Sequence, residues 1–319
     1  MEKTAKKKID RIISKAMTYR GAPYSRGAHL PLSSRTPHFD CSSFTQFLFS
    51  QVGISIPRSS ILQAADPFGS TIVPDKNTVY KKGDLIFMRS SRGFHFDDLF
   101  GGDQLSIGHV CLYIGGGKVI HASKQGGGVV VDSLLKLSKH PNYTPLLIKR
   151  HFTEPLPYTV PSVSQYEFSD PYWRKRSCGA VSLEMILSYY HRPVPLQDII
   201  QQGTVIDAYD TRVGWIHAKL ASLANHFGLK GTNYDWADDT DEYALSKLGG
   251  FLRKGPTIAS IHKSFNPSSG GHLVVLTGMN RHVVYYNEPA SHPGTRQKRT
   301  VSISRFIKGW KKRILFFHP

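Results

Sequence analysis

Residues 37–52 read P-H-F-D-C-S-S-F-T-Q-F-L-F-S-Q-V, and residues 177–190 read S-C-G-A-V-S-L-E-M-I-L-S-Y-Y. In the first stretch Phe44, Phe47, Leu48 and Val52 keep helical spacing, Asp40 can cap the helix and Gly53 can end it. In the second, Ser177 can serve as the cap, and Leu183, Ile186, Leu187 and Tyr190 form the apolar stripe. Each helix therefore opens on a cysteine, Cys41 or Cys178. That placement carries chemistry, because the thiolate is the reactive form and a free thiol is mostly protonated near neutral pH. A helix N-terminus and a nearby imidazolium both favour ionisation.

Outward from the cysteines, both halves continue in the same order. Downstream of Cys41, I-G-H-V-C-L-Y-I-G (107–115) and K-V-I-H-A (118–122) read as strands joined at Gly115, Gly116 and Gly117 in a hairpin or short connection. Downstream of Cys178, a helix is expected over Trp215–Phe227, stopped by Gly228. T-I-A-S-I (257–261), G-H-L-V-V-L-T-G (271–278) and H-V-V-Y-Y-N (282–287) read as strands of a largely antiparallel sheet. Between the halves, Pro155, Pro157 and Pro161 lie too close together for a helix or a central strand. The expected organisation is a domain over 1–152, a proline-rich linker over 153–160 and a second domain over 161–319. The halves share architecture rather than sequence, so they are not a repeat.

The chain has 319 residues, 40% apolar and 20% charged, enough for two domains each with a sizeable core. Its net charge is +18. Such a field attracts anionic wall polymers, acidic membranes and nucleic acid alike, and no nucleic-acid motif selects the last. Three cysteines, an odd number, argue against a disulfide framework and predict free thiols at Cys41, Cys111 and Cys178. Cys111 shares a strand face with His109 and reads as core packing. His95, Asp97, Asp98 and Asp103 lack a recognised ligand spacing and read as a solvated loop, so neither metal nor cofactor is expected. The opening stretch, Met1–Met17, reads as a Lys-rich helix with Ile9, Ile12, Ile13 and Met17 on one stripe. It lacks the apolar run of about 7 to 15 residues that marks a secretory signal. Synthesis in the cytosol without a membrane span is therefore expected, with lysis, a holin or a dedicated exporter as the route outward.

The stretches P-H-F-D-C-S-S-F-T-Q, K-K-G-D-L-I-F-M and G-H-V-C-L-Y-I-G-G-G-K-V-I-H-A, with G-A-P-Y before them and P-R-S-S-I-L-Q-A-A between, resemble the NlpC family of cell-wall cysteine endopeptidases over most of residues 18–150. The resemblance implies Cys41 as nucleophile, His109 as base and His121 as the polar residue orienting it. It also implies that Tyr24, Asp40 and Ser42 line the substrate pocket, and that cleavage falls beside D-glutamate in the stem peptide. Ser43 departs from the family, which usually has glycine there.

The second half is similar to the bacteriocin-leader-processing (double-glycine) peptidases, through V-P-S-V-S-Q, C-G-A-V-S-L-E-M-I-L-S-Y-Y, G-P-T-I-A-S-I, G-G-H-L-V-V-L-T-G and V-Y-Y-N-E-P-A. That similarity implies Cys178 as nucleophile, His272 as base and Gln165 as oxyanion donor. The family commonly has Asp where Glu288 stands, with Asn287 beside it; either could orient His272, but a regular strand would let only one do so.

The implied fold class is α+β, two papain-like cysteine peptidase domains in tandem, each a nucleophile-bearing helix packed on an antiparallel sheet. The expected function is a bifunctional cysteine hydrolase whose partners are peptidoglycan or muropeptides, with anionic wall polymers held by the basic surface. The alternative is that one domain is an inactive peptide-binding module in a wall-targeting or assembly protein.

Overall fold

The amphipathic start forms α1 (Glu2–Thr18). Its buried face is Ile12 and Ala16, while Met17, expected on the apolar stripe, is 41% exposed. The computed structural model describes residues 2–28, 37–94, 97–153, 156–292 and 298–319. The chain divides into two compact units, Met1–Glu154 and Pro155–Pro319.

In the first unit α2 (Cys41–Ser50) begins on the expected residue. Asp40 Oδ1 accepts the Ser43 amide at 2.7 Å and Ser43 Oγ accepts the Asp40 amide at 2.9 Å, a reciprocal cap. The serine that departs from the family pattern thus satisfies a helix-end donor. Phe44 and Leu48 are fully buried, and Phe39 meets Phe44 edge-on at 5.1 Å; burying each such side chain contributes about 1.5–3 kcal/mol. After α3 (Ser60–Ala65) come β1 (Ser70–Ile72), β2 (Leu85–Phe94), β3 (Ile107–Gly115), β4 (Lys118–Ser123), β5 (Gly128–Ser133), α4 (Leu134–Ser138) and β6 (Pro145–Arg150). The strands form one antiparallel sheet in the order β1-β6-β2-β3-β4-β5, and α2 packs on β3 and β4. The hairpin between β3 and β4 turns through Gly115, Gly116 and Gly117, all at positive φ, a conformation that costs glycine little. Cys111 is buried among Ile86, Met88 and Val119.

The second unit opens earlier than the expected linker boundary. Tyr158 donates its amide to the Thr277 carbonyl at 2.7 Å and Val160 is fully buried in this unit's core. Of the expected linker, Glu154 and Pro155 lie outside the described residues. Next come α5 (Cys178–Tyr189), α6 (Leu196–Val205), β7 (Tyr209–Asp210), β8 (Gly214–Trp215), α7 (His217–Leu223), β9 (Lys230–Asp235), α8 (Asp241–Leu252), β10 (Thr257–His262), β11 (Gly271–Met279), β12 (Val283–Asn287), β13 (Lys298–Ser302), α9 (Ile303–Gly309) and β14 (Trp310–His318). The helix expected from Trp215 begins at His217, because Trp215 pairs with Tyr209 across β7 and β8; it tightens into a 3₁₀ turn and stops at Gly228 with φ 79°.

The main sheet is antiparallel in the order β13-β12-β11-β10-β14-β9. Leu273 and Val275 face one core with α5, α6 and α7, while Val274 and Leu276 face another with α8. The unbroken apolar run in β11 follows from this: helices cover both faces of its sheet, so both sets of alternating residues are buried. Among the described residues no helix is long and apolar enough to cross a membrane.

Candidate active sites

The two thiols sit in matching positions. Each is the first residue of its helix, α2 or α5, and each is half-buried. Cys41 receives hydrogen bonds from the amides of Ser42 and Val110, Cys178 from those of Gly179 and Leu273. In both cases the donors are the residue after the cysteine and the residue after the candidate base. One antiparallel strand thus delivers its histidine to the mouth of the helix in each unit.

Behind the bases the units differ. His109 Nε2 lies 2.7 Å from His121 Nδ1, and His121 Nε2 lies 3.0 Å from Asp132 Oδ2. The His109 ring also meets Tyr143 edge-on at 5.2 Å. His272 Nε2 instead lies 2.6 Å from Glu288 Oε1, with no ring between base and carboxylate. Asn287 faces away and donates to the carbonyls of Val160 and Pro161, each at 3.2 Å. Of the two residues open from the sequence, the structure puts Glu288 against His272 and gives Asn287 to the entering segment.

Charge follows these contacts. Burial pushes the Cys41 thiol up to about 11, and the Asp40 carboxylate adds to it, outweighing the two amides. Burial, then His121, holds His109 well below the ordinary imidazole value. This pair rests as thiol and neutral imidazole. Burial opposes ionisation of Cys178 too, but its hydrogen bond to His272 and that ring's charge outweigh it, and the thiol is lowered. His272 is raised: burial works against its charge, while Cys178 and Glu288 together prevail. The lowering of Cys178 and the raising of His272 both favour the thiolate–imidazolium form over the neutral pair.

The remaining site residues from the sequence are placed as follows. Tyr24 is half-buried, and burial followed by the negative fields of Cys41 and Asp40 raises its phenol. Ser42 Oγ donates to Asp40 Oδ1 at 3.2 Å and accepts from Arg58 Nη1 at 2.8 Å. Arg58 also reaches both Asp40 oxygens, at 3.1 and 2.6 Å. Burial raises Asp40, but the Arg58 bond and the Ser43 amide hold its carboxyl below the usual range. Gln165 is buried in a 3₁₀ turn; its Nε2 donates to the Arg174 carbonyl at 2.8 Å, and its Oε1 is buried without a hydrogen-bond partner. One N–H of that amide is thus already engaged. Ser177 occupies the cap position, but its side chain makes no capping bond and its buried Oγ has no partner, contrary to the expectation from sequence. His95, weighed as a metal ligand, lies outside the described residues.

Three neighbours escaped the sequence reading. Asp132 pairs in β5 with Val119 rather than with His121, so it reaches that ring diagonally, and only the register reveals it. Arg58 stands within the quoted P-R-S-S stretch, and its basic side chain close after an Asp-Cys-Ser run was the available signal. Trp215 packs on Gly179, where an added Cβ would lie 2.5 Å from the indole Cγ, and no local pattern announced it.

Cys178 and His272 open on a cleft of about 580 Å³ whose lining includes Tyr209, Trp215, and Lys311 and Arg313 of β14. That volume falls in the usual range for ligand clefts, about 300–1,000 Å³.

Residues 21–145 match the NlpC/P60 family and residues 158–313 the Peptidase_C39 like family. The chain is similar to probable endopeptidase p60 of Listeria grayi, 34% identical over 123 residues, covering 39% of this chain and 19% of that protein. It is similar to peptidoglycan endopeptidase RipB of Mycobacterium tuberculosis, 30% identical over 152 residues, covering 45% and 55%. It is also similar to gamma-D-glutamyl-L-lysine dipeptidyl-peptidase of Bacillus cereus, 34% identical over 96 residues, covering 30% and 24%. The chain therefore spans only about a fifth of the Listeria protein and about half of RipB.

Proposed function

We propose that this chain, an NlpC/P60 domain in its N-terminal half followed by a Peptidase_C39-like domain in its C-terminal half, is a cysteine hydrolase of peptidoglycan peptides with two separate thiol sites. The observation that carries this reading is the Cys41, His109, His121, Asp132 series at the mouth of α2. It lies in the half that matches a family whose named relatives include peptidoglycan endopeptidases.

In unit 1 His109 takes the Cys41 proton as the sulfur attacks a carbonyl carbon beside D-glutamate. The developing oxyanion meets N–H groups at the start of α2, and His109 returns the proton to the departing amine. Water, deprotonated by the same ring, then hydrolyses the thioester and restores the thiol. Because this pair rests neutral, proton transfer accompanies attack. In unit 2 the contacts of Cys178 with His272 favour the thiolate, so Cys178 attacks in that form, His272 protonates the leaving amine and Gln165 offers its second amide N–H to the oxyanion. The D-glutamate specificity is supported by the name of the Bacillus cereus relative.

A second reading makes unit 1 a peptide-holding module, and the raised thiol of Cys41 favours it. Mass spectrometry of purified muropeptides after incubation with the full chain separates the two. The expected result is hydrolysis beside D-glutamate that Cys41→Ala abolishes and Cys178→Ala leaves intact. Cleavage that survives Cys41→Ala overturns the assignment of unit 1.

A further inference from the structure

The cleft at Cys178 is lined by Lys175, Arg176, Lys311 and Arg313 against the single carboxylate of Asp235. Among the described residues Arg313 alone of these four has a carboxylate partner, its Nε lying 2.8 Å from Asp235 Oδ2. Arg176 donates to the Tyr172 carbonyl at 3.1 Å and lies over that ring at 4.2 Å, contacts that leave its charge uncancelled. Lys311 stands on β14 with Nζ 3.2 Å from where a Cβ on Gly271 would lie, immediately before His272 in the chain. Among the described residues Lys175 and Lys311 form no ion pair. His217, in the same cleft, is kept below its ordinary value by burial, then by Arg313 and Lys311, so it adds no charge.

The positive charge comes from two separate elements. Lys175 and Arg176 end the turn just ahead of Cys178, and Lys311 lies beside the base. The lining also includes the aromatic rings of Tyr209 and Trp215, and low-dielectric walls focus a field of one sign into a cleft. Cys178, His272 and Glu288 together carry at most one net negative charge, fewer than the uncancelled cations Lys175, Arg176 and Lys311.

We infer that the Cys178 cleft takes an acidic peptide, one carrying at least two carboxylates near the bond it presents to the thiol. The inference rests on the reading of Cys178 as a nucleophile. Each carboxylate meeting a cation at about 4 Å gains about fivefold in affinity even in bulk water, and neutral or basic peptides forfeit it.

Calorimetry on the full chain carrying Cys41→Ala and Cys178→Ala tests this without turnover, using Ac-Glu-Ala-Ala-Glu-NH₂ and its Ac-Gln-Ala-Ala-Gln-NH₂ counterpart. At about 0.01 M ionic strength, where the Debye length is about 30 Å, the acidic peptide should bind about tenfold tighter or more. The margin should collapse near 1 M salt. Lys311→Gln should weaken the acidic peptide about threefold to fivefold and spare its amide counterpart, whereas Lys6→Gln, on the exposed face of α1, should change neither. Equal affinities, no binding by either peptide, or indifference to Lys311→Gln would overturn the inference. A stem-type peptide containing D-glutamate forms a further arm: tighter binding than the all-L peptide points to a wall source, weaker binding to a ribosomal one, and either supports carboxylate recognition. Alkylation of Cys178 by iodoacetamide in the Cys41→Ala chain reads the nucleophile separately, so an inert thiol would sink that reading while leaving the binding result standing.

Discussion

His272 and Glu288 form a direct 2.6 Å contact between imidazole and carboxylate, whereas in the first unit a second imidazole, His121, stands between His109 and Asp132. A carboxylate against the ring stabilises imidazolium; a neutral ring in that place orients the base without charging it. Two cysteine sites with the same local frame therefore have their thiols shifted in opposite directions.

Glu288→Gln should remove the imidazolium's support. Each unit by which the Cys178 thiol rises is about a tenfold loss of thiolate, so alkylation near pH 6 should slow at least about tenfold while the fold persists. Asn287→Ala should behave in the opposite way. It leaves the carbonyls of Val160 and Pro161 without their donor, costing about 1–3 kcal/mol by denaturant titration, with labelling of Cys178 unchanged.

The two thiols should titrate apart. With the other cysteine replaced by alanine, Cys178 should react with a neutral alkylating agent below the ordinary thiol range, losing reactivity only as pH falls through its lowered value. Cys41 should stay slow through neutral pH and accelerate only as pH climbs towards about 11. Coincident pH profiles would refute the difference in charge state.

Arg58→Ala should destabilise the first unit by about 2–3 kcal/mol, because the buried Asp40 carboxylate loses its charged partner. The sign with pH is fixed by the lowered folded value of Asp40. Its stabilising contribution is present above the ordinary carboxylate value and disappears as pH falls through the folded one. Without Arg58 that folded value rises, so acid unfolding followed by circular dichroism should begin at higher pH in the variant.

Gly179→Ala should cost about 1–3 kcal/mol, since the new methyl meets the Trp215 indole at 2.5 Å and its Cδ1 at 2.8 Å. Labelling of Cys178 should change with it, because the Gly179 amide is one of the donors to that sulfur. A shift of the denaturation midpoint with unchanged labelling would separate the wall of the cleft from the thiol's environment.

The amino-acid sequence alone determined the cysteine-bearing helices and the strands that follow them, in order. Helical spacing of Phe44, Phe47 and Leu48, and of Leu183, Ile186 and Leu187, placed both cysteines at helix starts, and three consecutive glycines marked the β3–β4 turn. These are local signals, in which a side chain's face depends on residues within a turn or two of it. Partnership across the sheet was decided by tertiary structure. Glu288 rather than Asn287 meets His272, Asp132 reaches His121 on the diagonal, and Arg58 folds back onto Asp40. In a strand, one residue of register exchanges every side chain between faces, so these pairings depend on how distant strands align and on nothing within a few residues of either partner. The protonation states belong to the same level, because burial and a neighbour's charge arise only once the chain has closed around them.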